Sequence, residues 1–483
     1  MSVSEVNVAK KGLRSDSVGL LSSVIIAVSS TAPAYSMAAS LGLVVAVAGI
    51  HAPMVLVLSF LPMLFIAFAF RELNKVDPDC GITFAWATRA FGPTTGWMGG
   101  WGIIAADLIV MSSLSQIAGR YFFLLFGLNS LANSTGWITI AGVSFIALLT
   151  WVCYRGIEIS VRVQQALLFI ELASLVAFAI TAVTKVLTHH AMRGSAAVNW
   201  HWISPWSGSS SGLSNSFLLA VFIYWGWDCA LSVNEETKDR NRTPGRAAVI
   251  ATVMLVVIFA LVSISALCFA GPKFLAANSS DVLSAMAQAV FGSTFGRILV
   301  LCVLTSTAAS TQTTIIPTSR AVLSMAVYRA LPARFARTSE RFQTPSVATV
   351  AMGFISAVVF VAMTLISTNV LADSASATGL LIAFYYALTG YSCAWYFRHD
   401  LKSQRNLWLR GILPLLGALA LTLAFALSIH SYLPAASSYS SLWGMGGVFV
   451  IGAGSLLLGL VLVAVARRNE KDFFLGGIET TKR

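Results

Sequence analysis

The sequence predicts an all-α integral membrane protein with twelve transmembrane helices. Three observations carry that reading. Hydrophobic residues fill 57% of the 483 positions, while Asp, Glu, Lys and Arg fill only 10%. Soluble domains carry about 25% charge, so this composition cannot clothe a soluble surface of this size, and disorder would need the reverse balance. Twelve stretches are apolar over the roughly 20 residues that span a bilayer. Finally, with the N-terminus placed inside, 26 of the 31 Lys and Arg residues fall in inner connections and 5 in outer ones. Positive loops resist translocation, so both termini are expected in the cytoplasm of a multi-pass protein of the plasma (inner) membrane. The same bias explains the net charge of +12 without nucleic acid.

The predicted spans are 18–42, 43–70, 94–127, 135–153, 163–188, 213–234, 246–271, 297–328, 346–368, 376–397, 410–432 and 442–466. A polar tail, 1–17, precedes them and lacks the pattern of a cleavable signal peptide. A second tail covers 467–483. The longest outer connection, 191–212, holds Trp200, Trp202 and Trp206, which read as interfacial anchors.

Two spans look interrupted. The first contains Ser29-Ser30-Thr31-Ala32-Pro33. Proline has no N–H and clashes with the preceding turn, so a helix opens there. Small hydroxyl residues beside it can bond the freed backbone. The sixth span contains Tyr224-Trp225-Gly226-Trp227-Asp228, where glycine tolerates unwinding and a mid-span aspartate must face something other than lipid. The breaks lie five spans apart. Five is odd, so a second unit would enter the membrane with opposite polarity. That is the pattern of inverted repeats, here 18–190 and 213–400, around a midplane site between discontinuous helices. Residues 401–466 add two further helices.

Asp107, Glu171 and Asp228 lie deep in spans three, five and six. Each acid near the centre costs roughly 2.5–3.5 kcal/mol unless protonated or paired. Such groups suit a carrier that moves protons, sodium or an amine-bearing substrate. Other chemistries find little support. Cys80, Cys153, Cys229, Cys268, Cys302 and Cys393 form no CxxC pair and read as small buried hydrophobes. His189, His190 and His201 lack metal-ligand spacing, and HExxH, GxSxG and Walker A motifs are missing. The expectation is no enzyme, no cofactor and no metal.

Three segments carry a family resemblance. Arg71-Glu72-Leu73 with Asp77-Pro78-Asp79-Cys80-Gly81, Trp86 and Arg89-Ala90-Phe91-Gly92-Pro93 resembles the cytoplasmic segment before span three of amino acid–polyamine–organocation (APC) superfamily permeases. The stretch from Phe222 to Asp228, then Asn234-Glu235-Glu236-Thr237-Lys238 and Arg242-Thr243-Pro244, resembles their sixth span and following loop. Thr318-Ser319-Arg320, Leu331-Pro332 and Thr344-Pro345 are similar to their eighth span and the loop after it. The resemblance implies a LeuT-type fold of five plus five inverted-repeat helices and two C-terminal helices. It implies alternating access, with uptake of an amino acid coupled to a proton, or alternatively sodium. A polyamine or other organic-amine carrier is the alternative on the same fold, and a non-transporting amino-acid sensor is the alternative of another class. Substrate contacts are expected from Ser29, Ser30, Thr31, Ala32, Asp107, Phe222, Trp225, Gly226 and Asp228. Phe222 matches the aromatic that covers bound substrate. Ion coupling is expected from Glu171, Asp228, Thr307 and Ser310, with Thr305 and Ser306 as further oxygen partners. One departure bears on substrate: many relatives carry a glycine-rich stretch where Ser30-Thr31-Ala32-Pro33 stands here. Bulkier residues narrow the approach to the backbone, which weighs toward an amine-rich substrate. The partners expected are that small molecule, the coupling ion and the lipid bilayer, with the chain as a monomer or homodimer.

Overall fold

A computed structural model describes residues 11–203, 210–279, 281–476 and 478. Trp206, residues 1–10 and residues 477 and 479–483 lie outside the described residues. The described residues are helices joined by turns and irregular connections, with one short hairpin, Ser441–Leu442 against Met445–Gly446. The helices that matter here are α1 (Leu20–Thr31), α2 (Pro33–Ala48), α3 (Ala52–Val76), α4 (Thr83–Phe91), α5 (Pro93–Leu125), α6 (Thr135–Arg155), α7 (Ile157–Leu187), α8 (Ser210–Tyr224), α9 (Cys229–Ser232), α10 (Thr243–Ala277), α11 (Val282–Val327), α12 (Ser346–Ile366), α13 (Val370–Tyr396), α14 (Leu413–Tyr432) and α15 (Gly447–Asn469).

Among the described residues, ten segments are long and apolar enough to cross a bilayer. One of them, Leu20–Val76, is 57 residues long. As a straight helix it would reach about 85 Å, against a hydrocarbon core of about 30 Å. It therefore folds back on itself. The turn is at Gly49–His51, where Gly49 has φ 57°. The second span thus begins at Ala52, nine residues after the position predicted from hydropathy. The apolar run is continuous there, and only the left-handed glycine marks the turn. Twelve spans result if Leu20–Val76 counts twice and the broken pair α8–α9 counts once.

Both predicted breaks are present. Ala32 sits at φ 48°, ψ 69°, between α1 and α2. Pro33 starts α2, where a missing N–H costs nothing. Residues 225–228 form turns between α8 and α9, with Gly226 at φ 120°. The packing follows the five-span offset. Helix α2 lies against α8, α3 against α10, α5 against α11 and α6 against α12. Each of these contacts joins helices five spans apart in the sequence. Trp202 is buried against the start of α3, and its carbonyl is 3.4 Å from His51 Nδ1, so it packs on protein and does not simply anchor in the interface.

Candidate functional site

The two breaks meet. A Cβ added to Gly226 would lie 2.7 Å from the Ser30 carbonyl carbon and 2.8 Å from both the Ser30 oxygen and the Thr31 nitrogen. Only a residue without a side chain lets the two backbones approach this closely, and the positive φ demands glycine independently. Gly226 and Ser30, 196 positions apart in the sequence, thus form one wall of unwound backbone.

The freed backbone groups have specific partners. The N-terminus of α2 exposes N–H groups that no intrahelical carbonyl can satisfy. Ala34 N–H donates to Glu171 Oε1 at 2.8 Å, and Tyr35 N–H donates to Ser306 Oγ at 3.2 Å. Ser306 Oγ donates in turn to Glu171 Oε1 at 2.7 Å. The carboxylate therefore sits at the positive end of a half-helix dipole, a favourable place for negative charge. On the other side of the break, Ser310 Oγ donates to the Ser30 carbonyl at 2.9 Å. Ser36 Oγ donates to the Thr31 carbonyl at 2.7 Å, and Thr31 Oγ1 to the Ala27 carbonyl at 3.2 Å. Thr307 behaves differently from Ser310. Its Oγ1 bonds the Val303 carbonyl of its own helix at 2.7 Å. Thr305 likewise turns back on Cys302. Ser29 is buried, and its hydroxyl has no hydrogen-bond partner among the described residues.

The sixth-span acid is held from α13. Tyr385 O–H donates to Asp228 Oδ2 at 2.9 Å, and Trp225 Nε1–H donates to the Tyr385 oxygen. Tyr386 packs edge-on against Tyr385 with ring centroids 4.8 Å apart, and its ring lies 5.1 Å from that of Trp227. Asp107 Oδ2 accepts a hydrogen bond from Thr318 Oγ1 on α11 and lies within electrostatic reach of Asp228. Trp225, which reaches Asp228 through Tyr385, is buried, and so is Phe222 on the last turn of α8 before the break. The predicted residues therefore gather in two lobes around the joined breaks. One lobe is Asp107, Asp228, Phe222 and Trp225, and the other is Glu171, Ser306 and Ser310. Sequence reasoning missed Tyr385 and Tyr386. They lie 157 and 158 residues from Asp228 in an apolar run, and their only signal was an adjacent pair of tyrosines in a buried span.

A second buried cluster lies beyond the ends of the spans. Lys11 Nζ is 2.5 Å from Glu235 Oε1, 3.1 Å from Asp79 Oδ1 and 3.5 Å from Cys80 Sγ. Burial alone would lower this ammonium. The neighbouring Asp79, Cys80 and Glu235 outweigh it and raise Lys11 well above the usual lysine range. Asp79, also opposed by burial, is pulled below the usual carboxylate range by Lys11, the Tyr328 hydroxyl and the Gly81 N–H. Asp79, Cys80 and Glu235 offer ligand atoms within 4.8 Å of one another, a grouping that could hold a metal ion. The Lys11 ammonium already supplies the positive charge at that point. Beside it, Arg320 binds Glu236 through two nitrogens, at 2.5 and 2.9 Å.

The model of one known family, described as amino acid permease, matches residues 18–456. Curated relatives include a branched-chain amino acid permease of Lactococcus lactis subsp. cremoris, 25% identical over 216 residues. That alignment covers 41% of this chain and 44% of the relative. An arginine/ornithine antiporter from the same organism is 28% identical over 223 residues, 42% of this chain and 44% of the relative. A low-affinity putrescine importer of Escherichia coli K12 is 21% identical over 212 residues, 43% and 44% of the two chains. The chain thus aligns with a little under half the length of each of these three.

Proposed function

Since the chain belongs to the amino acid permease family, we propose that it is a secondary transporter that takes up an amino acid with a proton by alternating access. The observation that carries this reading is the contact of Gly226 with Ser30 and Thr31, flanked by buried acids on both sides. Joined breaks offer bare backbone to a ligand in mid-membrane and give two half-helices that can tilt about one point.

The acids divide the work in this reading. Asp228 and Asp107, with Phe222 and Trp225, form the substrate lobe, where a carboxylate attracts an amine and an aromatic covers it. Glu171 couples the ion. Ionised, it satisfies the α2 N-terminus. Protonated, it loses the charge that the half-helix dipole favours, an interaction of up to about 2 kcal/mol in partly buried geometry. Proton entry then loosens α7 from α2. Ser310 and the Ser30 carbonyl complete that lobe. A basic amino acid or polyamine fits the excess of acids, and relatives named for arginine/ornithine and putrescine support that reading beside the branched-chain one.

Proteoliposome uptake tests the proposal, with an imposed inward proton gradient and labelled neutral, acidic and basic amino acids plus putrescine. The expected result is uptake of one class that collapses with a protonophore. In Glu171→Gln, uptake should no longer respond to the gradient while substrate still binds. Specific binding without uptake in tight vesicles would support a sensor instead. A wild-type gradient response in Glu171→Gln would remove Glu171 from coupling.

A further inference from the structure

Away from the two lobes, a cavity of about 360 Å³ lies between α5, α11, α12 and α15. Its wall runs from Leu108 and Thr318, well inside their helices, to Phe335 and Asn469 near the helix ends. The indole and hydroxyl groups of the inner wall are already committed to protein. Trp97 and Trp101 stack with centroids 6.1 Å apart. Trp97 Nε1–H donates to the Ala330 carbonyl at 3.0 Å, and Trp101 Nε1–H to the Ser455 carbonyl at 2.8 Å. The Thr318 hydroxyl is engaged with Asp107 and the Thr314 carbonyl. An occupant of the depth must therefore be apolar, because a polar ligand would lose its hydration and find no partner.

The mouth has the opposite character. The two segments that frame it, 329–337 and 467–472, hold Arg329, Arg334, Arg337, Arg467, Arg468 and Lys471 against Glu470 and Asp472. Asp472 is taken up by Arg329 at 2.7 Å. Arg334, Arg337, Arg467 and Arg468 are exposed. A rim of cations above an apolar slot in a membrane-embedded wall matches an amphiphile with an anionic head. We propose that this cavity seats an anionic phospholipid of the surrounding bilayer, with one acyl chain in the slot and its phosphate on the arginine rim. The chain end reaches Thr318, which holds Asp107. Occupancy of the slot thus bears on the position of a buried acid without touching substrate.

Native mass spectrometry of the intact protein, from nanodiscs of mixed phosphatidylglycerol and phosphatidylcholine, tests this. The expected wild-type result is one retained phosphatidylglycerol per chain, in preference to phosphatidylcholine. Arg334→Gln with Arg467→Gln should weaken that preference by roughly thirtyfold. Ala351→Phe fills the slot and leaves every charge in place, so it separates a seated lipid from general surface attraction. It should abolish retention while lipid-free thermal stability stays at the wild-type level. Ile355→Trp, from the same wall, serves if Ala351→Phe fails to fold. Unchanged retention in the filled variant overturns the acyl seat. An unchanged preference in the double glutamine variant overturns the headgroup assignment. Neither outcome depends on which substrate the protein carries.

Discussion

Asp228 illustrates what a single buried side chain needs. An unpaired charge in mid-membrane is expensive, and the protein answers with a relay: the Trp225 indole donates to Tyr385, and Tyr385 donates to the carboxylate. Hydrogen bonds to a charged group contribute about 1.5–3 kcal/mol each. Tyr385→Phe removes the donor to Asp228 and strands the Trp225 N–H. If Asp228 holds the substrate amine, the carboxylate loses its orientation, and KM for uptake should rise by roughly tenfold or more, since 1.4 kcal/mol is tenfold. Asp228→Asn should abolish uptake at normal expression. Wild-type KM in the first variant and wild-type rates in the second, measured in proteoliposomes, would free both residues of that role. Sequence alone located Asp228, because an aspartate beside glycine in an apolar run is a local signal. It could not supply Tyr385, because the contact closes over 157 residues.

At the scale of the helical element, the breaks differ in kind. The first is one residue wide: Ala32 alone leaves the helical region, and its N–H still bonds the Val28 and Ser29 carbonyls at 3.2 Å each. The second runs over residues 225–228. Proline and glycine act through their own backbones, so both positions were legible in the sequence. The partners of the breaks were not. Glu171 on α7 and Ser310 on α11 reach Ala34 and Ser30 through tertiary packing, and Thr307, equally plausible by type, turns back on its own helix. The α2–α3 turn was misplaced for a related reason, since hydropathy does not change across Gly49. Gly226→Ala should be among the most damaging single changes in the protein. Its Cβ would be 2.7 Å from the backbone of Ser30, and φ 120° is closed to alanine. Local strain of about 1–3 kcal/mol, plus separation of the two breaks, predicts a lower thermal midpoint and lost uptake. Ala32→Gly is the contrast. A left-handed alanine costs about 1–2 kcal/mol, so glycine there should leave the thermal midpoint unchanged or raised. A fall comparable to that of Gly226→Ala would show that Ala32 is held by contacts its backbone does not reveal.

At the scale of the whole molecule, one end of the bundle is stitched shut. Lys11 joins the N-terminal segment to Asp79 before α4 and to Glu235 after α9. Ser324 of α11 and Tyr328 just after it donate to the two Asp79 oxygens at 2.7 Å each, and Arg320 holds Glu236. Val18 and Thr237 add a parallel backbone bridge. Segments from both halves of the chain contribute, so opening at this end must break the cluster. Its pH behaviour follows from the signs. Lys11 is raised, so its contribution is full below the ordinary lysine range and fades only as pH climbs through its own higher value. Asp79 is lowered, so its contribution is full above the ordinary carboxylate range and fades only as pH falls through its own lower value. Glu235 moves the other way, since burial and the neighbouring Asp79 push its carboxyl above the usual range. Between about pH 5 and 9 the Lys11–Asp79 pair therefore stays charged, and Glu235 is the member of the latch that can take up a proton as pH falls. Lys11→Gln leaves Asp79 and Glu235 buried without their cation, a change that costs about 3–5 kcal/mol in buried pairs. Cys80 is fully buried within the same cluster, so its alkylation by N-ethylmaleimide reports opening. The expected effect in Lys11→Gln is labelling faster by roughly a hundredfold, taking the lower end of that cost at 1.4 kcal/mol per tenfold. The direction is decisive. Removing a cation from beside a thiol raises its pKa and slows its reaction when the structure stays closed. Faster labelling can therefore come only from opening, and slower labelling would mean that the bundle end stays shut without Lys11.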